Sequence, residues 1–188
     1  MAKGYWLPQI DVSNMDGYKA YMAATPPAYE KYKGVALVRG GRSEVVEGSA
    51  RSRCVIREFP DYATALACYR SDEYQRARPL RLPHSQCNFV IVEGYDGVQP
   101  PRTELPPTAT AKKGYWIGHI DVTEPEGYKA YMAVDMAPFG KFGGRFHRGA
   151  GISELRCGAR LLSLERLSRG QKVARGQGQF RSGHRRGL

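Results

Sequence analysis

Asp11, Arg39, Glu58, Tyr69 and His84 carry the side chains in this chain whose types and settings suit chemistry. Asp11 returns as Asp121 in a near-identical stretch, at a strand end where a carboxylate can meet a ligand or simply prepare the following helix cap. Arg39 adjoins Gly40 and Gly41, so its guanidinium and the turn amides could hold an anion together; the plainer reading is an exposed hairpin arginine. Glu58 precedes Phe59 and Pro60 and suits either a buried general base or an ion pair with Arg57 or Arg53 across a sheet. Tyr69 packs or offers a hydroxyl, and His84, in a Leu-Pro-His loop, faces solvent or meets a ligand. No Walker loop, nucleophile elbow, zinc-protease helix or dinucleotide fingerprint joins them, so they are ligand-binding candidates and no catalytic residue is assigned. Cys54, Cys68, Cys87 and Cys157 lack Cys-x-x-Cys or His pairing, which reads as buried free thiols and predicts no metal and no cofactor.

The elements that position these residues are set by a repeat. KGYWLPQIDVSNMDGYKAYMA at residues 3–23 is written again as KGYWIGHIDVTEPEGYKAYMA at residues 113–133, which fixes a unit length of 110 residues. Residues 4–12 alternate Trp6, Ile10 and Val12 against Tyr5, Leu7, Gln9 and Asp11, a strand that Pro8 must make irregular. Ser13 followed by Asp16, and Thr123 followed by Glu126, predict helix N-caps. The first helix carries Tyr18, Met22, Thr25, Tyr29 and Tyr32 on one stripe and is broken by Pro26-Pro27. VALVRGGRSEVVEG predicts a hairpin turning at Gly40-Gly41, and RSRCVIREF, residues 51–59, a further strand. Asp61 and then Ser71 cap a two-piece helix with Tyr62, Leu66 and Tyr69 inward, and residues 86–95 close the unit as a strand. The order is βαββαβ, α+β in class and ferredoxin-like in arrangement. Both helices lie on one sheet face, so the other, bearing Tyr5 and Leu7, needs cover, and a second sheet is the usual cover. That predicts a homodimer through the open sheet face.

The motifs GYW-x-x-x-IDV with GYKAY, LVRGG, VVEG, VIREFP, ALACYRSDEYQ and VIVEGYDG resemble a bacterial family catalogued only as a domain of unknown function, number 1330. The resemblance spans residues 3–96 and implies the dimeric α+β barrel architecture, a superfamily that includes antibiotic-biosynthesis monooxygenases, small isomerases and haem-handling enzymes. Its own activity is not established. Departures from its pattern are Pro8, Lys33 with Val35-Ala36, where the second copy keeps Gly143, Gly144 and Arg145, and Arg57.

The chain therefore divides into a complete domain (1–96), a Pro/Thr-rich linker (97–112), a partial second copy (113–147) and a basic Arg/Gly-rich tail (148–188). The tail is read as disordered or irregular, with a short leucine-bearing amphipathic segment; a reading-frame shift after about His147 explains its origin. The net charge of +11 belongs to it: residues 1–144 hold 18 basic and 16 acidic side chains, residues 145–188 hold 11 and 2. The nearly neutral folded part does not favour nucleic acid as a partner. No apolar run approaches the roughly 20 residues of a membrane span, so no membrane partner and a cytoplasmic location are expected.

Two functions remain open at this point. One is a protein that binds a small organic molecule and extends to a cofactor-independent enzyme; the alternative is a non-catalytic dimerising module with no ligand. A closed pocket joining Asp11, Arg39 or Glu58 separates the first from the second.

Overall fold

The computed structural model describes residues 1–101 and 113–147 together with the backbone of residues 158–164; Cys157 and the remaining tail and linker positions lie outside the described residues. The chain is a mixed α+β protein built on a curled antiparallel sheet, a half-barrel. Strand β1 (Gly4–Trp6) and strand β2 (Gln9–Val12) are two halves of the predicted first strand, interrupted at Leu7-Pro8. Helices α1 (Met15–Ala24) and α2 (Pro26–Lys31) follow, split where the two prolines were expected to break them. Then come β3 (Val35–Arg39), β4 (Arg53–Phe59), α3 (Tyr62–Arg70) and α4 (Asp72–Ala77), and two short 3-10 turns lead into β5 (Ser85–Asn88) and β6 (Ile91–Glu93).

β4 is the long central strand. Its C-terminal half pairs with β1, its N-terminal half with β2, and its other edge with β3, while β6 and β5 close the far sides of β1 and β2. The interruptions at 7–8 and 89–90 are adjacent, with the Leu7 amide donating to the Val90 carbonyl at 2.9 Å, and Pro8 keeps its carbonyl in the ladder by accepting from Val55 at 3.0 Å. A proline that lacks a donor at this point bends the sheet without leaving a buried amide unpaired.

Alternation along the strands creates two cores. Trp6, Ile10 and Phe59 face α1, α3 and α4 and join Tyr18, Tyr21, Cys68 and Tyr74; Tyr5, Leu7, Ile56 and Val92 face the other way. Trp6 is the hub of the first core. Its ring meets Tyr29, Phe59, Tyr69, Tyr74 and Phe89 at centroid distances of 4.9–5.9 Å, and its indole N–H donates to the Ala65 carbonyl at 2.9 Å.

Several expectations are corrected. The N-caps fall one residue late: Asn14 accepts from Gly17 at 3.1 Å and Glu124 from Glu126 at 2.9 Å, because these longer side chains reach the first free amides from the next position. Asp61 and Ser71 cap α3 and α4 as read. Tyr62 is exposed; Tyr69 packs inward as read, joined on the inward side of α3 by the buried Ala65 and Cys68. VVEG is no strand: β3 pairs directly with β4, so Val45 and Val46 stand in the long connection between them, 52% and 83% exposed. Lys33 adopts φ 55°, the left-handed turn after α2, and Gly143 holds the equivalent place at φ 66°, which explains why a glycine pattern suits it.

In the repeat's second occurrence, β7 (Gly114–Ile120), α5 (Pro125–Lys141) and β8 (Arg145–Phe146) are followed by β9 (Gly158–Leu164). The tail reading is overturned over residues 158–164, which form this strand. β9 lies between β7 and β8 as β4 lies between β1 and β3, and in the same register: Leu162 stands opposite Trp116 and Phe146 as Arg57 stands opposite Trp6 and Ala36. An apolar run that supplies the missing central strand needs backbone pairing more than it needs the VIREFP letters.

β7 also covers the open face of the first sheet. Tyr115 and Ile117 pack on Tyr5, Leu7, Ile56 and Val92, and Gln9 meets His119 at 3.2 Å. The start of the linker lies along β8, where the Gln99 side-chain amide donates to and accepts from the Phe146 backbone at 2.8 Å each. Among the described residues no helix is long and apolar enough to cross a membrane.

Candidate functional site

On the helix side of the sheet, the break between α1 and α2 leaves a cleft above β2, β3 and β4. Aromatic rings wall it: Trp6 from β1, Tyr18 and Tyr21 from α1, Tyr29 from α2, and Phe89 at the break between β5 and β6. The floor is cationic. Arg53, Val55 and Arg57 alternate onto this face of β4, and Arg39 ends β3 beside them. The inner part encloses about 60 Å³ and opens outward into a groove of about 400 Å³ that shares Met22, Thr25, Tyr29, Arg39 and Arg57 with it. The inner part therefore holds a few water molecules or one small head group, and the outer part has the size of a small-ligand site.

Arg57 is the most constrained group there. It is 9% exposed, its Nη1 donates to the Gly34 carbonyl at 2.7 Å, and its guanidinium lies 3.4 Å from the Tyr29 ring centre. Burial pulls its pKa down, Arg39 adds to that, and Tyr29 opposes them; an arginine nevertheless stays charged. Arg53 donates to the Arg39 carbonyl at 3.1 Å. Among the described residues none of the three arginines forms an ion pair with a carboxylate.

Of the residues singled out from the sequence, only Arg39 lines this cleft. Asp11 lies at the sheet end, its Oδ1 accepting from the Ser52 amide and its Oδ2 from Arg51, both at 2.8 Å. The Ser52 amide, and then Arg51, hold its carboxyl below the usual carboxylate range, so Asp11 pins the start of β4. Tyr69 packs against Trp6 and Phe89. His84 backs onto the start of α1, its carbonyl accepting from Ser13 at 2.9 Å and its ring lying against Gly17. Arg53, Arg57 and Tyr29 were missed as site residues. The available signal was Arg57 in VIREF, a guanidinium at the inward beat of an otherwise apolar strand face.

Glu58 points to the opposite face. It accepts from the Tyr5 hydroxyl at 3.1 Å and lies 3.8 Å from Lys3 rather than pairing with Arg57 or Arg53. Because the Tyr5 proton goes to Glu58, its oxygen accepts from His147 Nδ1 at 3.0 Å, and this contact ties β8's end to the first sheet. Burial, then Glu58, pushes the Tyr5 phenol up. Burial holds the His147 pKa below its usual value; Glu58 opposes that shift and Lys113 adds to it, with Tyr115 ring-packed alongside. A depressed histidine pKa gives stability that is complete above the free value of about 6.5 and declines as pH falls below it. Lowering the pH from 7.5 to 5 is therefore expected to loosen β7 from the first sheet, read as a change in Trp116 emission. His147→Gln should flatten that profile, and an unchanged profile in the variant refutes the role of His147.

Among the described residues no group of three or more His, Cys, Asp or Glu is placed to hold a metal ion. Burial pushes the Cys54 thiol up to about 11 and the Cys68 thiol up to about 12, so neither is a thiolate nucleophile near neutrality.

The fold and the cleft thus define an α+β protein with an arginine-floored, aromatic-walled cavity between sheet and helices. The chain belongs to the family described as Domain of unknown function (DUF1330), which matches residues 3–95 and 113–159. The second match continues past His147 to β9, so the family pattern does not stop where the sequence reading ended it. Among solved structures, a protein of unknown function from Rhodopseudomonas palustris is similar at 15% identity and TM-score 0.43, covering 51% of this chain and 85% of that chain. Its methylated form is similar at 15% identity and TM-score 0.42, covering 57% and 84%. No curated protein matches the chain.

Proposed function

We propose that the chain is a small-molecule-binding protein whose ligand occupies the cleft under α1 and α2, within a ferredoxin-like unit followed by a partial tandem copy. The strand order β5/β6, β1/β2, β4, β3, antiparallel throughout, supports the ferredoxin-like reading. The observation that carries the binding reading is Arg57, a buried guanidinium facing a cavity with one protein hydrogen bond made. A buried cation left without a counter-charge is costly unless something else completes it.

Binding is favoured over catalysis by the lining. Among the described residues the inner cleft presents guanidinium groups and phenols, with no carboxylate, histidine or lysine to move a proton near neutrality. Burial raises the phenols of Tyr18 and Tyr21, which makes them poorer acids still. A thermal-shift screen of the full chain against classes of organic metabolites tests the proposal. A ligand at 100 times its Kd adds about 2.7 kcal/mol, which raises Tm by roughly 5–10 °C for a chain of this size. Stabilisation by no class would favour the ligand-free dimerising module instead.

A further inference from the structure

Resting on the binding reading above, we infer that the ligand is a planar organic carboxylate, held with its carboxylate on Arg57 in the inner cleft and its apolar body in the outer groove. The head group is argued from charge. Arg39, Arg53 and Arg57 converge on one small space, and Arg39 is close enough to depress the Arg57 pKa. Like charges are drawn together at a cost that an anion between them relieves. Arg57 spends Nη1 on Gly34, leaving the fork's other donors for a carboxylate, whose two oxygens match guanidinium geometry.

The shape is argued from the walls. The Arg57 guanidinium carbon lies 3.4 Å from the centre of the Tyr29 ring, so a carboxylate on that fork sits beside the ring, and a flat body conjugated to the carboxylate can lie along the aromatic wall. The inner space of about 60 Å³ admits a head group the size of a carboxylate. Beyond it, Met22, Pro26, Val35 and Ala36 offer apolar surface, with Glu30 and Lys33 at the outer rim.

The test uses the full chain and isothermal titration with benzoate and trans-cinnamate against their neutral amides, together with octanoate and inorganic phosphate. The acids are expected to bind about 10- to 100-fold more tightly than the amides, the range of a hydrogen bond to a charged group, and more tightly than octanoate or phosphate. Arg57→Met should abolish the acid-amide difference while the protein remains folded by circular dichroism. Arg39→Gln, at the exposed lip and outside the core, should weaken the acids several-fold and leave the amides unchanged, which keeps the test decisive if Arg57→Met does not fold. Amides binding as tightly as acids overturn the anion and leave the binding reading standing. Octanoate matching cinnamate overturns planarity, phosphate matching both overturns the carboxylate, and no binding by any probe overturns this inference; a hit from another class in the metabolite screen would still preserve the binding reading.

Discussion

Trp6→Ala is expected to destabilise the protein by about 3–5 kcal/mol, the usual cost of removing a large buried aromatic, whereas Trp116→Ala should cost less than about 1 kcal/mol. The two tryptophans occupy the same place in the same repeated sequence, GYW, so local propensity does not distinguish them. Their surroundings do. Trp6 is 2% exposed beneath α3 and α4, and its loss would open a cavity among Tyr29, Phe59, Tyr69, Tyr74 and Phe89 and remove the indole's hydrogen bond to the Ala65 carbonyl. Trp116 is 56% exposed, and among the described residues its ring meets Phe139, at 5.6 Å. Tyr21 and Tyr131 repeat the contrast: the Tyr21 hydroxyl meets that of Tyr74 at 3.2 Å under α4, and Tyr131 is 46% exposed. Urea unfolding of the two single variants checks this, and each variant keeps one tryptophan as its own fluorescent reporter. Equal losses in the two variants would show that the second occurrence is packed as tightly as the first.

That contrast also shows what the letters could and could not convey. Pro8, Pro26-Pro27, Asp61 and Ser71 act through backbone constraints a few residues long, and each interruption or cap stands where those constraints place it. VVEG has the right β-branched composition, but strand identity is settled by which neighbour accepts the ladder, and β4 already fills that edge of β3. The same rule in reverse gives residues 158–164 a strand without a matching motif. For the site, alternation puts Arg57 on the helix face of β4, yet whether that face is packed or hollow depends on how far α2 swings from α1 after Thr25. That is a tertiary matter, so Arg39 was found as a lone turn residue while the arginine cluster it belongs to was not. Asp11 and Glu58 looked functional because carboxylates near strand ends often are; their hydrogen bonds to Ser52, Arg51 and Tyr5 show them fastening the sheet.

Ile117→Asp is expected to turn the protein into a homodimer. In the intact chain the face formed by Tyr5, Leu7, Ile56 and Val92 is covered by Tyr115 and Ile117. Those two are the repeat's own counterparts of Tyr5 and Leu7, and Gln9 likewise meets its counterpart His119. The same positions meet each other across the contact, as they do across the two-fold axis of an isologous dimer. A face that accepts its own repeat in this way is complementary to the same face of another chain. An aspartate at position 117 would place an unpaired carboxylate against that apolar cluster, removing about 3–5 kcal/mol of docking free energy, and β7 would leave. The first sheet, whose core around Trp6 makes no use of β7, stays folded with its apolar face bare, and pairing of two chains through that face is the cover available. Sedimentation velocity at micromolar concentrations should then show the variant with twice the mass of the unaltered chain, and a second substitution on the exposed face, Leu7→Lys, should return it to a monomer. A variant that keeps its Trp6 core by fluorescence yet stays monomeric over a hundredfold concentration range rules out the homodimer, and would mean that the sheet face is specific for the partner it already carries in the same chain.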